Sequence, residues 1–324
     1  MNRTGTGMLG CALLMGWVAL GEAGFLDEVV KQGLGTPAAP PSGSNRPAAP
    51  ASQESGQSPG LVDGLGGLIG VDRSKLDLVK KGLNTVRALQ PIGIEEEVAI
   101  GRAIALEAFN RFGGEYVNPA MQKYLNLVGR TVAQFSDRPE LGYRFAILNS
   151  DEENAFAAPG GYILVTRGLL RRVENEAQLA GVLAHEIAHV SRRHMLETIQ
   201  RSALLSNASE LTVSVMKQDP GMFRNLVGEV SDKLFTHGLD QSLEFDADAQ
   251  GLRYLYMAGY NLPAYRGYLA GLQKRMGQST SVFYSTHPSL ASRLEKLDKE
   301  LPRHAGGSKL PVLDGRLRKS LSFS

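Results

Sequence analysis

His185-Glu186-Ile187-Ala188-His189 is the stretch from which the rest of this sequence can be read. On a helix, His185 and His189 stand four residues apart and project from one face, so both imidazoles can reach a single metal ion. Glu186 lies beside them, placed to take a proton from a water that the metal activates. Ala180, Val182 and Leu183 just upstream supply the apolar surface that buries such a helix in a core. Two histidines do not complete a metal centre, so a third ligand has to be found.

A third His six residues beyond His189, with Gly at the third, would extend the motif, but those positions hold Met195 and Arg192. His194 is one residue short, and on a continuing helix it points elsewhere. A better source is Glu244-Phe245-Asp246-Ala247-Asp248. Glu244 and Asp248 share a helical face, so one can bind the metal while the other accepts the second ring N–H of a ligand imidazole. Asp246 faces away from Glu244 and reads as a solvated or helix-start charge. Two His and one Glu, with water in the fourth position, form the donor set of a hydrolytic zinc site. One Zn2+ per chain is expected.

Several further blocks occur in a fixed order around these motifs. They are residues 154–170 (Asn-Ala-Phe-Ala-Ala-Pro-Gly-Gly-Tyr-Ile-Leu-Val-Thr-Arg-Gly-Leu-Leu), residues 174–189 ending in the pentapeptide, and Arg193-His194. Glu244 to Asp248 follows, with Gly251 and Ala258-Gly259-Tyr260, and then Thr286-His287-Pro288 with Arg293. Over roughly residues 91–300 the chain resembles the HtpX, Oma and CAAX-prenyl-endopeptidase group of gluzincin metalloproteases. The resemblance implies zinc held between the His-Glu-x-x-His helix and the Glu-x-x-x-Asp helix of a gluzincin-type domain. It assigns His185, His189 and Glu244 as ligands, Glu186 as general base, and Asp248 as the partner of His185.

The later block is more open. A His before Pro lies in an extended segment or at a helix start, and the residues after Pro288 have helical periodicity. In some relatives this His, here His287, lies near the metal as a fourth, inhibitory ligand or as a stabiliser of the oxyanion; a cap or packing role is the alternative. Arg293 either stabilises the anionic intermediate as a catalytic group, pairs with a carboxylate near the site, or is a helix-surface cation. His194 reads as structural, and His237 and His304, in polar Gly-flanked stretches, carry no signal. Gly160-Gly161 and Tyr162 to Thr166 read as a turn followed by a strand. The resemblance favours an exposed edge strand that binds an extended peptide, whereas the apolar run Ile163-Leu164-Val165 permits an interior one.

Elsewhere, apolar positions at helical spacing predict helices over 95–112, 120–135, 175–195, 208–235, 241–257, 263–276 and 289–300, with strands at 143–148 and 162–166. The fold class is therefore mainly α with a small β-sheet (α+β). At 324 residues the chain can bury one sizeable core and a smaller appendage. Its 35 basic and 33 acidic residues leave a net charge of +2, scattered rather than gathered, so nucleic acid is not an expected partner.

The N-terminus has Arg3, an apolar stretch from Met8 to Leu20, and small residues around Ala23, the outline of a secretory signal. Residues 1–23 are read as a signal peptide and 24–90 as a flexible Pro/Ala/Ser/Gly-rich tether with an apolar Gly-rich segment. Residues 91–303 are read as the metalloprotease domain and 304–324 as a C-terminal tail. The only cysteine, Cys11, lies in the signal, where a lipid anchor is the lesser alternative to ordinary cleavage. Residues 196–240 hold no long apolar run, and little chain follows Leu301. The expectation is thus the soluble envelope branch without a tetratricopeptide-repeat domain.

These features predict an endopeptidase of the periplasm or cell envelope, and the family resemblance implies misfolded or misassembled envelope proteins as its substrates. Its partners would be protein or peptide substrates and the envelope assembly machinery, with membrane association through the N-terminal segment. The rival readings are a chaperone-like assembly factor with a latched zinc site and a zinc hydrolase of small or cell-wall peptides.

Overall fold

The computed structural model describes residues 92–205, 220–275, 287 and 290–321. The expected signal peptide, the tether and the first part of the helix expected at 208–235 lie outside the described residues. Helix α1 (Ile94–Arg111) opens with Glu95, Glu96 and Glu97, acidic residues that favour a helix N-terminus. Helix α2 (Pro119–Ala133) has Pro at its first position, and the Asn118 side chain accepts the Met121 N–H at 3.1 Å. Strands β1 (Arg144–Leu148), β2 (Ala155–Ala158) and β3 (Tyr162–Thr166) follow, then the single turn α3 (Arg167–Leu170). Helix α4 (Glu176–Ser191) is capped by Asn175 and is buried at every residue. Beyond it come α5 (His194–Leu205), α6 (Pro220–His237), α7 (Gln241–Met257), α8 (Leu262–Arg275), α9 (Leu290–Glu300) and α10 (Asp314–Ser320).

The architecture is mainly helical with one three-stranded sheet in the order β1-β3-β2. Strand β3 runs parallel to β1 and antiparallel to β2, so it is the interior strand, as its apolar run allows, and not the edge. The edge beside α4 belongs to β2, an Ala-rich strand with weak strand propensity that sequence reading did not foresee. The Thr166 N–H donates to the Asn154 carbonyl at 3.0 Å, which sets the ladder's phase. That phase turns the N–H and C=O groups of Ala155 and Ala157 away from β3. The other edge is covered: Ile147 O accepts the Tyr116 N–H and Phe145 O accepts the Gln122 amide.

Two glycines at close approaches position the site. Gly160 has φ +74, and a Cβ there would lie 2.6 Å from the Val98 Cα, so the β2–β3 turn sits directly on α1. Gly251 lets α7 press against α4: its Cβ would lie 3.1 Å from the His185 backbone nitrogen. The two helices that carry the metal motifs thus meet backbone to backbone at the motif itself.

Two further departures from the sequence reading matter. The helix expected over 175–195 ends at Ser191, because Arg193 takes φ 62, a left-handed value rare for a non-glycine residue. Residues 304–321, read as a tail, pack back onto the body. Leu317 is buried, Ala177 N–H donates to Val312 O, and Arg316 ion-pairs with the buried Glu176. Among the described residues no helix is long and apolar enough to cross a membrane.

Candidate metal centre

Helix α4 contributes His185, Glu186 and His189, α7 contributes Glu244 and Asp248, and His287 stands just ahead of α9, which contributes Arg293. All seven side chains are buried. His185 and His189 face each other with Nε2 atoms 3.0 Å apart. Glu244 closes the triangle, with Oε2 3.5 Å from His185 Nε2 and Oε1 3.4 Å from His189 Nε2. Donors around a tetrahedral ion with bonds of about 2.0–2.1 Å are spaced about 3.3 Å apart, and these three spacings bracket that value. His287 joins the set, so that one donor atom from each of His185, His189, Glu244 and His287 lies within 4.8 Å of all the others. Two imidazoles, a carboxylate and a third imidazole are nitrogen and oxygen donors suited to zinc.

The electrostatics fit a bound cation. Burial and Arg293 favour the neutral form of His185, but hydrogen bonds to Asp248 and Glu244 outweigh them and raise its pKa to about 9. A metal ion can replace that proton. Burial and the neighbouring His185 drive His189 down to about 3, so its ring stays neutral with a free lone pair. Burial works against ionisation of Glu244, yet His287 and Arg293 hold it well below the usual carboxylate range. Glu186 is different. Burial raises its pKa, and neither of its buried oxygens has a hydrogen-bond partner among the described residues.

The surrounding contacts orient the donors. His185 Nδ1 lies 3.0 Å from Asp248 Oδ1, the pairing the sequence resemblance implied. Arg293 is wholly buried: Nε and Nη2 bind Asp248 at 2.8 and 2.7 Å, and Nη1 donates to Glu244 Oε2 at 2.9 Å. Of the roles left open for Arg293, the one its contacts display is carboxylate pairing, with each of its three nitrogens bonded to Asp248 or Glu244. Tyr265, which no sequence pattern singled out, donates its hydroxyl to Asp248 at 2.8 Å. His287 places Nδ1 3.1 Å from Glu244 Oε2 and Nε2 3.6 Å from Glu186 Oε1.

His194 and Asp246 were set aside in the sequence reading, yet the structure brings both to the centre's flank. His194 Nδ1 lies 3.0 Å from His189 Nδ1, and its Nε2 lies 3.1 Å from Asp246 Oδ2. The signal was present in Arg193-His194 and in the third acidic residue of α7. What sequence could not supply was the break at Arg193 that turns His194 back. His237 is exposed at the end of α6, and His304 stacks loosely on Tyr256; neither approaches the centre.

Two helices converging on a buried His, His and carboxylate set, beside a carboxylate that makes no hydrogen bond among the described residues, define a candidate metal-dependent hydrolase centre. Residues 119–301 match the profile of peptidase family M48, and the chain belongs to that family. It is 31% identical over 185 residues to the beta-barrel assembly-enhancing protease of Escherichia coli (strain K12), across 55% of this chain and 38% of that protein. The corresponding Yersinia pestis protein is 29% identical over 215 residues, 63% of this chain and 43% of the relative. The mitochondrial metalloendopeptidase OMA1 of Schizosaccharomyces pombe is 27% identical over 213 residues, 62% and 61%. The chain thus matches less than half the length of the two bacterial relatives.

Proposed function

We propose that this chain is a zinc-dependent endopeptidase of the cell envelope, in which His185, His189 and Glu244 hold one Zn2+ and Glu186 is the general base. The observation that carries this reading is Glu186, a buried carboxylate with two unbonded oxygens adjoining a donor set spaced for a tetrahedral ion. A buried carboxylate that makes no hydrogen bond among the described residues is costly, and groups perturbed in this way cluster at functional sites. When bound, zinc would lower the pKa of a water toward neutrality and polarise the scissile carbonyl. Glu186 takes the proton from the attacking water and delivers it to the departing amine. Asp248 fixes the ring of His185, and Arg293 holds Asp248 and Glu244 in place.

His287 lies inside the donor set, which favours the role of a fourth protein donor that keeps the resting site closed. An extended peptide would lie along β2 beside α4, pairing with the outward C=O of Ala155 and the N–H and C=O of Ala157, while the Ala155 N–H is held by the Asn154 side chain at 2.9 Å. The signal-like residues 1–23 support an envelope location, and the bacterial relatives, named for enhancing beta-barrel assembly, support misassembled envelope proteins as the substrate class proposed here. The test is a digest by the purified chain. Chelator-sensitive cleavage of casein supports the reading, whereas cleavage of muropeptides with casein left intact would replace it with a cell-wall hydrolase.

A further inference from the structure

We infer that His194 and Asp246 form a positioning relay for His189, and that the backbone break at Arg193 exists to build it. This inference rests on the reading of His189 as a metal ligand. Helix α4 stops at Ser191, Arg192 remains helical, and Arg193 takes φ 62, a conformation that L side chains rarely adopt. Such a residue persists only where its surroundings over-determine it. Here the Arg193 guanidinium reaches the Ile92 carbonyl and lies 3.3 Å from Glu97. Glu97 is itself buried and fixed by two bonds from Arg138 and one from the Gly160 N–H. The Arg193 carbonyl then accepts the Glu197 N–H at 3.0 Å, which starts α5 in a new direction.

The result is that His194, which an unbroken helix would carry away, lies edge-on to His189 with ring centroids 5.1 Å apart. The hydrogen bonds allow one consistent placement of protons for neutral rings. Asp246 is a carboxylate and only accepts, so His194 carries its proton on Nε2 and leaves Nδ1 as an acceptor. His189 must then carry its proton on Nδ1 and donate it to His194, which leaves Nε2 with a lone pair. That Nε2 is the atom facing His185 and Glu244. The relay therefore selects the ligand tautomer and fixes the ring plane. His185 obtains the same service directly from Asp248 at 3.0 Å. Both carboxylates come from α7, two residues apart, and the intervening imidazole of His194 spans the additional distance to His189. Arg192 Nε holds Asp246 Oδ2 at 3.0 Å from outside.

Outer hydrogen-bond partners of a ligand His typically contribute 10–100-fold to metal affinity. The experiment uses the purified full chain and measures zinc affinity by chelator competition, the absorption spectrum after Co2+ substitution, and the melting temperature of the metal-free protein. His194→Ala is expected to weaken zinc binding about 10–100-fold and to shift the cobalt bands. His194→Asn, whose amide oxygen falls near the position of Nδ1, is expected to recover most of that affinity. Asp246→Ala is expected to weaken binding in the native background and to add nothing in the His194→Ala background. His237→Ala, at an exposed histidine, serves as the control. The relay is overturned if His194→Ala and Asp246→Ala leave affinity and cobalt spectrum unchanged, if their effects simply add, or if affinity only tracks the melting temperature. If His194→Ala does not fold, His194→Asn and Asp246→Ala still decide. Should His189→Ala bind zinc as tightly as the unaltered chain, the metal-site reading fails as well; unaltered relay variants beside a defective His189→Ala would sink the relay alone.

Discussion

Arg293 grips Asp248 with two nitrogens, Nε to Oδ2 at 2.8 Å and Nη2 to Oδ1 at 2.7 Å, in a pair wholly withdrawn from solvent. Removing one partner of a buried pair leaves an uncompensated charge and costs about 3–5 kcal/mol. Arg293→Ala is therefore expected to lower stability by that order in denaturant melts and to weaken zinc binding. Arg293→Lys, which keeps the charge and loses the fork, should be intermediate in both. A variant that keeps native stability and zinc affinity while losing only kcat would restore Arg293 as a group acting on the intermediate.

The contact between α4 and α7 gives a prediction with a sign that magnitude decides. Gly251→Ala improves helix propensity by about 1 kcal/mol, but the new Cβ would lie 3.1 Å from the His185 backbone nitrogen. Overpacking of that kind costs about 1–3 kcal/mol, so the net change is expected to be destabilising. Separation of the helices would also widen the donor triangle. Greater stability with undiminished zinc affinity in Gly251→Ala would show that the helices have room to spare.

Metal content separates the carboxylates of α7. At saturating zinc, His185→Ala, His189→Ala and Glu244→Ala are each expected to lose the bound ion, while Asp246→Ala retains one per chain with reduced affinity. Full occupancy in Glu244→Ala alongside loss in Asp246→Ala or His194→Ala would reverse the assignment of the third ligand.

How much of this was legible in the sequence can be judged residue by residue. The spacing of His185 with His189, and of Glu244 with Asp248, encodes shared helical faces, and both pairs converge in the structure. Local periodicity reaches that far and no further. Strand β2 was missed because alanine gives no strand signal, and its pairing with β3 depends on a partner in the tertiary fold. The interior position of β3 is likewise a property of the sheet. His194 reads as structural in the sequence and lies outside the donor set, but its return to the flank of His189 was not legible, because a left-handed Arg193 is held by Glu97 and Ile92, about a hundred residues earlier in the chain. The docking of residues 304–321 depends on Arg316 finding Glu176, which no window of sequence reveals.

That last pair has a pH signature. Burial opposes ionisation of Glu176, but hydrogen bonds from Arg316, Tyr124 and Tyr260 hold its pKa below the usual value. A lowered carboxylate pKa stabilises the fold above the unfolded value of about 4.3, and the gain is lost as pH falls through the folded value. Arg316 is half-exposed, so solvent screening limits its share to about 1 kcal/mol at neutral pH. The stability difference between the native chain and Arg316→Ala is expected to shrink as pH drops below about 4. A difference that stays constant through that range would show that Arg316 acts by packing alone.

His287 divides two mechanisms by the sign of one measurement. As a fourth donor it fills the position that water needs, so His287→Ala should raise basal proteolysis with zinc retained by the other three ligands. As a stabiliser of the oxyanion it would instead lower kcat by about 10²–10³ on removal. Unchanged activity would leave it a packing residue.

The central claim is that Glu186 moves the proton while the three neighbouring donors hold the metal. Glu186→Gln tests it most directly, with zinc content, melting temperature and casein cleavage measured on one preparation. The amide cannot accept the proton, so the account predicts one zinc per chain, a native-like melt and no cleavage. Substantial turnover by Glu186→Gln, free of contaminating protease, would contradict it and require a different base.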